Sequence, residues 1–102
     1  MTKIGNAFAL SMVDVPCQID VKPLNADQVR NFAPFESCLG HKDIAAIVSS
    51  IIGIEIPFAR INVKLVSGEK MIVAQYIGPR LPEGVKELPA GSRIEFRLVE
   101  IL

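Results

Sequence analysis

The sequence predicts a single α/β (α+β) domain, in which about five mixed strands form one central sheet flanked by helices. Three observations support this fold class. A periodic apolar segment of helical type lies in the middle of the chain, several other segments alternate apolar and polar residues, and clusters of Gly and Pro separate them. A chain of 102 residues is long enough for one core and too short for two, so residues 1–102 are expected to form one domain.

The first two strands are predicted from alternation near the start of the chain. Lys3–Leu10 places three apolar side chains on one face, and Val15–Val21 alternates more cleanly. Pro16 has no backbone N–H, so the second strand should begin at an edge of the sheet or just outside the hydrogen-bonded ladder.

Two helices are expected next. Asn25 is a favourable N-cap for a short helix over A-D-Q-V-R-N-F-A, which Pro34 ends. A brief apolar segment, Phe35–Leu39, then leads to a central helix that Gly53 is suited to stop. Its buried stripe has the spacing i, i+3, i+4, i+7 and i+8, and consists of Ile44, Ile47, Val48, Ile51 and Ile52.

The second half of the chain predicts a hairpin and a last strand. Arg60–Val66 and Met71–Ile77 both alternate, and Ser67–Lys70 is a suitable turn between them. The segment Gly78–Gly84, G-P-R-L-P-E-G, has too much Gly and Pro for regular structure. Arg93–Ile101 alternates well and completes the set of five strands.

Composition restricts the function. Eleven basic residues balance eleven acidic ones, which disfavours a protein that coats long DNA or RNA. No apolar run approaches the roughly 20 residues of a membrane span, and the first residues lack the apolar stretch of a signal peptide. We therefore expect a soluble cytoplasmic protein without membrane contact. Cys17 and Cys38 are interpreted as reduced thiols, since two cysteines do not make a disulfide framework.

His41 is the only histidine, and it stands directly before the central helix. The unpaired N–H groups and the dipole at a helix N-terminus favour an anion, above all a phosphate. A single histidine in a sequence is, however, more often a structural or surface residue than a functional one. No second histidine or spaced Cys, Asp and Glu cluster accompanies it, so neither a metal site nor another cofactor is expected.

Arg80 and Glu83 lie three residues apart in the Gly- and Pro-rich loop that follows a core strand. Loops held by a rigid scaffold are common positions for functional residues. The alternative is a surface ion pair that stabilises a turn, and the spacing alone favours this alternative.

Several short motifs together resemble a known family. N-A-F-A-L-S-M at Asn6–Met12, L-G-H at Leu39–His41 leading into I-V-S-S-I-I-G, and R-L-P-E-G at Arg80–Gly84 are similar to the viral type III anti-CRISPR ring nucleases. These are small proteins of archaeal viruses, with bacterial and phage members. The resemblance runs nearly end to end and implies a homodimer with a central five-stranded sheet. It also implies that the dimer binds cyclic tetra-adenylate, the second messenger of type III CRISPR systems. Cleavage without a metal would then give linear di-adenylate with a 2′,3′-cyclic phosphate.

The resemblance also implies roles for individual residues. His41 would be the general acid that protonates the leaving 5′-oxygen, while Arg80 would stabilise the charge that develops on the phosphorane-like transition state. Glu83 would orient one of these two side chains or assist proton transfer. Five further residues are expected to contact the ligand: Asn6, Ser11, Gly40, Lys42 and Asp43.

The chain departs from the family pattern just after the histidine. Many relatives carry small hydroxyl residues where this sequence has Asp43 and Ile44. A carboxylate can still cap the helix, but it repels a bound phosphate. Two alternatives to the nuclease therefore stay open: a protein of the same fold that binds a cyclic nucleotide without cleaving it, and a viral regulatory protein that binds a host protein. If the protein is viral, it is expected in the host cytoplasm.

Overall fold

A computed structural model describes all residues 1–102 and has one five-stranded mixed sheet with two helices. The strands are β1 (Thr2–Gly5), β2 (Ile19–Leu24), β3 (Phe35–Cys38), β4 (Lys70–Ile77) and β5 (Arg93–Ile101). The helices are α1 (Ala26–Arg30) and α2 (Lys42–Ile52), and a short 3-10 helix covers Leu10–Met12. The predicted fold class is thus confirmed.

The strand order across the sheet is β2-β5-β4-β1-β3. β1 is parallel to both of its neighbours, with Gly5 level with Cys38 of β3 and with Val73 of β4. β5 is antiparallel to β4 and to β2. The strands β1, β3 and β4 therefore run in the same direction, and their carboxyl ends lie at one edge of the sheet.

Both helices pack on one face of the sheet. Arg30 at the end of α1 donates from Nε to the carbonyl oxygen of Ile52 at 2.7 Å, which ties the last turn of α2 to α1. The predicted caps are confirmed: Asn25 and Gln28 exchange two hydrogen bonds of 2.8 Å, and Gly53 ends α2 with φ at 70°. The core on this face joins sheet and helix side chains, including Ile4, Leu39, Ile44, Val48, Ile52, Ile72, Ala74, Phe96 and Leu98.

The opposite face of the sheet is covered by irregular chain segments. A second apolar cluster joins these segments to the sheet through Val13, Cys38, Val63, Leu65, Met71, Val73, Val99 and Ile101. Both cysteines are free thiols. Burial raises the pKa of the Cys38 thiol, and the Glu36 carboxylate nearby acts in the same direction.

The prediction of a hairpin between Arg60–Val66 and Met71–Ile77 is wrong. Residues 60–66 form no strand, and their single bridge joins Leu65 to Val13. β4 pairs with β1 on one side and β5 on the other, so it has no free edge for a hairpin partner. The alternation in 60–66 reflects another kind of burial: Val63 and Leu65 cover the second face of the sheet, whereas Ile61 is 49% exposed. The fifth strand is instead β3, which was expected only as an apolar connection.

The first two strands also differ from their predicted bounds. β1 ends at Gly5 rather than Leu10, because the chain then turns so that Phe8 packs over the second cluster. β2 begins at Ile19 and not at Val15, which is 78% exposed beside Pro16. It continues through Pro23, and an edge strand tolerates this proline because only one of its sides is paired. Helix α1 ends at Arg30, four residues before Pro34, and β5 has the predicted bounds.

Candidate active site at the carboxyl edge of three parallel strands

The parallel arrangement brings three distant parts of the chain to one edge of the sheet. Asn6 follows β1, His41 follows β3 by three residues, and the loop 78–84 follows β4. Ligands of open sheets usually bind outside the carboxyl ends of parallel strands, because the connections that begin there form a crevice. A functional site is therefore expected at this edge of the sheet.

One cavity of about 600 Å³ lies at this edge. Its lining includes the three predicted catalytic residues and two of the predicted ligand contacts. The full set is Asn6, His41, Asp43, Ile44, Gln75, Tyr76, Gly78, Arg80, Leu81 and Glu83. The structure thus brings together residues that were singled out on separate segments of the sequence.

His41 is the N-cap of α2. Its Nδ1 accepts a hydrogen bond from the backbone N–H of Ile44 at 3.3 Å. Because Nδ1 is the acceptor, the neutral ring carries its proton on Nε2, the nitrogen that is free to act on a ligand. The backbone N–H groups of Lys42 and Asp43, at the start of the helix, have no acceptor in the chain. They are available to an anion, as the sequence predicts for a helix N-terminus.

Asn6 joins the end of β1 to the junction between β3 and α2. Its Oδ1 accepts a hydrogen bond from the backbone N–H of Gly40 at 3.1 Å. The stem of Arg60 also lies beside Gly40, where a Cβ on the glycine would be 3.6 Å from Arg60 Cγ. This is an ordinary van der Waals distance, so a small side chain would fit at Gly40, and the contact that fixes this residue is its hydrogen bond to Asn6.

Arg80 and Glu83 do not form the ion pair that the spacing alone favours. Neither side chain is within 4.0 Å of an opposite charge, and neither makes a hydrogen bond. Both line the cavity. Both residues are solvent-exposed at the edge of the cavity, so their charges are accessible to a ligand, and the predicted surface ion pair is not formed.

The charges of the cavity are mixed. With His41 neutral, one positive charge (Arg80) faces two negative charges (Asp43 and Glu83). The N-terminus of α2 adds roughly half a positive charge. The site can therefore combine an acid or base with an anion-stabilising group, and Asp43 is the residue that opposes phosphate binding.

Three of the predicted ligand contacts do not line the cavity. Ser11 lies in the 3-10 helix, where its carbonyl oxygen accepts a hydrogen bond from Lys64 Nζ at 3.0 Å. Lys42 Nζ lies 5.8 Å from the centre of the Phe58 ring. Gly40 is a neighbour of the cavity through its hydrogen bond to Asn6. No three His, Cys, Asp or Glu side chains are grouped so that they could hold a metal ion.

Sequence reasoning missed several lining residues, chiefly Gln75, Tyr76 and Leu81. Gln75 carried a signal, because a polar side chain at the end of an otherwise apolar strand is unusual. Asn6 and Gln75 also line a second groove of about 300 Å³ beside Phe8, Val21 and Arg97. The two residues thus separate the cavity from a groove on the other face of the sheet.

The comparison with protein families decides the identity at family level. The sequence model described as STIV B116-like matches residues 2–96, which is nearly the whole chain. The chain belongs to the STIV B116-like family. The expected relation to small archaeal-virus proteins is thereby confirmed at the level of this family.

A solved structure agrees with the family assignment. The chain is similar to B116 of Sulfolobus turreted icosahedral virus, with a TM-score of 0.80 and 22% sequence identity over 97% of each chain. At this identity the similarity shows that the B116-like fold is shared. No curated protein matches the chain. None of the helices has the length and apolar character needed to cross a membrane.

Proposed function

We propose that this B116-like protein is a ring nuclease, which binds cyclic tetra-adenylate across a homodimer and cleaves it without a metal ion to linear di-adenylate. In this role it would shut off type III CRISPR signalling and act as an anti-CRISPR in the host cytoplasm. The observation that carries the proposal is the convergence of His41, Arg80 and Glu83 on one cavity, with both charged side chains unpaired. The family resemblance of the motifs around these residues supplies the reaction.

The chemistry follows from the residues that line the cavity. The ribose 2′-oxygen attacks the adjacent phosphorus while the bond from phosphorus to the 5′-oxygen breaks. His41 acts as the imidazolium, in which Nδ1 is protonated and releases the Ile44 N–H; it donates the Nε2 proton to the departing 5′-oxygen and becomes neutral. Glu83 or water receives the proton of the 2′-hydroxyl. Arg80 and the free N–H groups of α2 stabilise the negative charge on the phosphoryl oxygens. Two such cuts divide the ring into two linear di-adenylates that end in a 2′,3′-cyclic phosphate.

The size of the cavity supports the homodimer. A cavity of about 600 Å³ falls in the range that encloses one drug-sized molecule, roughly 300–1,000 Å³. A ring of four nucleotides is considerably larger, so a single protomer can accommodate only part of it. A two-fold dimer would offer two identical cavities to a ligand that itself has two-fold symmetry.

The first test is incubation with cyclic tetra-adenylate in EDTA, with the products separated by chromatography. We expect linear di-adenylate from the wild type and a loss of at least about 100-fold in His41→Ala, the usual contribution of a general acid. His41→Asn is the matched control, because asparagine is a good N-cap and keeps the start of α2. It should lose as much cleavage as His41→Ala while avoiding the loss of about 1 kcal/mol in stability that accompanies a missing cap.

Arg80→Ala and Lys86→Ala form a second matched pair. Both remove a cation from the segment between β4 and β5, but only Arg80 lines the cavity. The first variant should lose cleavage by about 100-fold or more, and the second should retain it. Equal activity of these two variants would contradict the assigned site.

The non-catalytic alternative is favoured by one observation, the carboxylate of Asp43 in the cavity. A protein that only sequesters the ring would be stabilised by it, by about 2.7 kcal/mol at 100 times Kd, yet would return it intact. Absence of both binding and cleavage would direct attention to a host protein partner instead.

A further inference from the structure

Tyr76 is the last residue of β4 that lines the cavity. Its ring packs against the core between the sheet and the two helices, called here the helix-side core. Its hydroxyl group donates a hydrogen bond to the carbonyl oxygen of Pro79 at 2.5 Å. Tyr76 therefore connects the strand to the loop that carries Arg80 and Glu83.

This hydrogen bond is the only one that residues 78–88 make with any part of the protein. Two of these residues are prolines at positions 79 and 82, which have no N–H to donate. On the far side of Arg80, Leu81 is partly buried and packs against the helix-side core. The backbone of Arg80 is thus held at its two neighbours, by a hydrogen bond at Pro79 and by apolar contact at Leu81.

Close packing where the chain leaves β4 restrains the same region. Gly78 has φ at 154°, and a Cβ there would lie 2.5 Å from Ser92 Cβ and 2.9 Å from Ser92 Cα. It would also lie 3.1 Å from the Tyr76 hydroxyl oxygen. Ser92 is itself fixed by a hydrogen bond from its hydroxyl to the Pro89 carbonyl at 2.5 Å. There is no space for a side chain at residue 78 without displacing Ser92 or the Tyr76 hydroxyl.

We propose that Tyr76 is a positioning residue, whose hydroxyl fixes Pro79 and thereby holds Arg80 at the cavity that His41 lines. This inference rests on the proposed ring cleavage for its kinetic consequence, but its structural part does not. The Tyr76 hydroxyl proton is already donated to Pro79, so the hydroxyl has no proton free for a leaving group while Arg80 is held. Tyr76 acts through Arg80 rather than on the reacting atoms.

The structural test is ¹⁵N relaxation of the backbone amides in wild type and Tyr76→Phe, which removes only the hydroxyl group. We expect the order parameter of Arg80 to fall from about 0.85, the value of a rigid backbone, to below about 0.6. The amides of Val85–Glu87 lie outside the two anchors and serve as an internal control that should not change. The melting temperature should fall by no more than about 8 °C, as expected for one hydrogen bond.

The kinetic test is a double-mutant cycle. Tyr76→Phe should lower kcat about fivefold, the factor that corresponds to one hydrogen bond, with little change in KM. In the Arg80→Ala background the same substitution should have no further effect, whereas in Lys86→Ala it should keep its full effect. The pH profile of kcat should keep its shape, because no titrating group of the reaction has been removed.

The outcomes separate this inference from the function it serves. An unchanged Arg80 order parameter in Tyr76→Phe overturns the positioning role, whatever the cleavage rate. An equal loss of kcat in the Arg80→Ala background, or a lost limb of the pH profile, also overturns it by showing a direct action of the hydroxyl. If the wild type does not cleave the ring, the proposed function fails, and the relaxation result still decides whether Tyr76 holds the loop.

Discussion

Replacement of Asn6 by alanine tests how the site is assembled. Asn6 Oδ1 is the only acceptor in the chain for the backbone N–H of Gly40, which lies one residue before the cap of α2. Asn6→Ala leaves this partly buried N–H without a partner, at a cost of about 1–3 kcal/mol. We take about 1.5 kcal/mol, because Gly40 is only half-buried and water reaches it. At 4–8 °C per kcal/mol for a domain of this size, the melting temperature should fall by about 6–12 °C.

Asn6→Asp is the matched variant, since it keeps an acceptor of the same length and shape. Its charge-assisted hydrogen bond to Gly40 should hold the melting temperature within a few degrees of wild type. The added carboxylate would join Asp43 and Glu83 in the cavity, however, and repel a phosphate. We expect its affinity for cyclic tetra-adenylate to fall at least about tenfold. Asn6→Ala should bind more tightly than Asn6→Asp although it is the less stable of the two.

The assays are thermal unfolding monitored by circular dichroism, and calorimetric titration with cyclic tetra-adenylate at one fixed salt concentration. The reasoning is refuted if Asn6→Ala has the same melting temperature as the wild type, because the hydrogen bond to Gly40 would then make no net contribution to stability. A loss of stability in Asn6→Asp as large as that in Asn6→Ala would also refute it, since the acceptor would not be what stabilises the junction.

Two further predictions concern charge. Asp43→Asn removes a negative charge from the cavity and should raise the affinity for cyclic tetra-adenylate about fivefold, measured by calorimetric titration. The lost interaction with the dipole of α2 should cost about 0.3–1 kcal/mol of stability, measured by thermal unfolding. Unchanged binding would show that Asp43 does not face the ligand. Hydrogen bonding from Arg93 at 2.9 Å, together with the charges of Arg93 and Arg97, holds the pKa of the Glu95 carboxyl below its ordinary value of 4.5. An ionised Glu95 with a lowered pKa stabilises the fold above pH 4.5, and this stabilisation is lost as the pH falls below that value. Between pH 5 and pH 3 the wild type should therefore lose more stability than Glu95→Gln, as measured by urea titrations. Parallel curves of stability against pH for the two proteins would contradict this.

The central helix shows where sequence patterns are sufficient. Its apolar stripe, the histidine before it and the glycine after it are local signals, and each fixes a local feature: burial, an N-cap and a left-handed end. By contrast, residues 60–66 and β4 show the same alternation of apolar and polar residues, and both were predicted to be strands of one hairpin. This alternation could not show that β4 already has two neighbours, because pairing with β1 depends on residues far away in the chain.

The site was predictable to the extent that its motifs were local. His41, Arg80 and Glu83 each stood in a recognisable motif, and all three line the cavity. Tyr76 and Gln75 were missed as lining residues because their position at the cavity depends on where β4 ends relative to its neighbours. The family resemblance implied a ligand contact from Ser11, near the end of a first strand predicted to reach Leu10; the strand ends at Gly5, and Ser11 does not line the cavity.

The position of β1 has a consequence for the order in which the molecule can be built. β1 is the first strand along the described chain, yet it lies between β3 and β4 and pairs in parallel with both. During synthesis it has no neighbour until Phe35–Cys38 has been made, and it gains the second only with Lys70–Ile77. Ile4, which is fully buried in the finished fold, cannot reach that native burial before both neighbouring strands have been made. The strand that is made first therefore waits for residues 35–77 before both of its edges are paired, and Asn6 can reach its place beside Gly40 only after the chain has been made past β3.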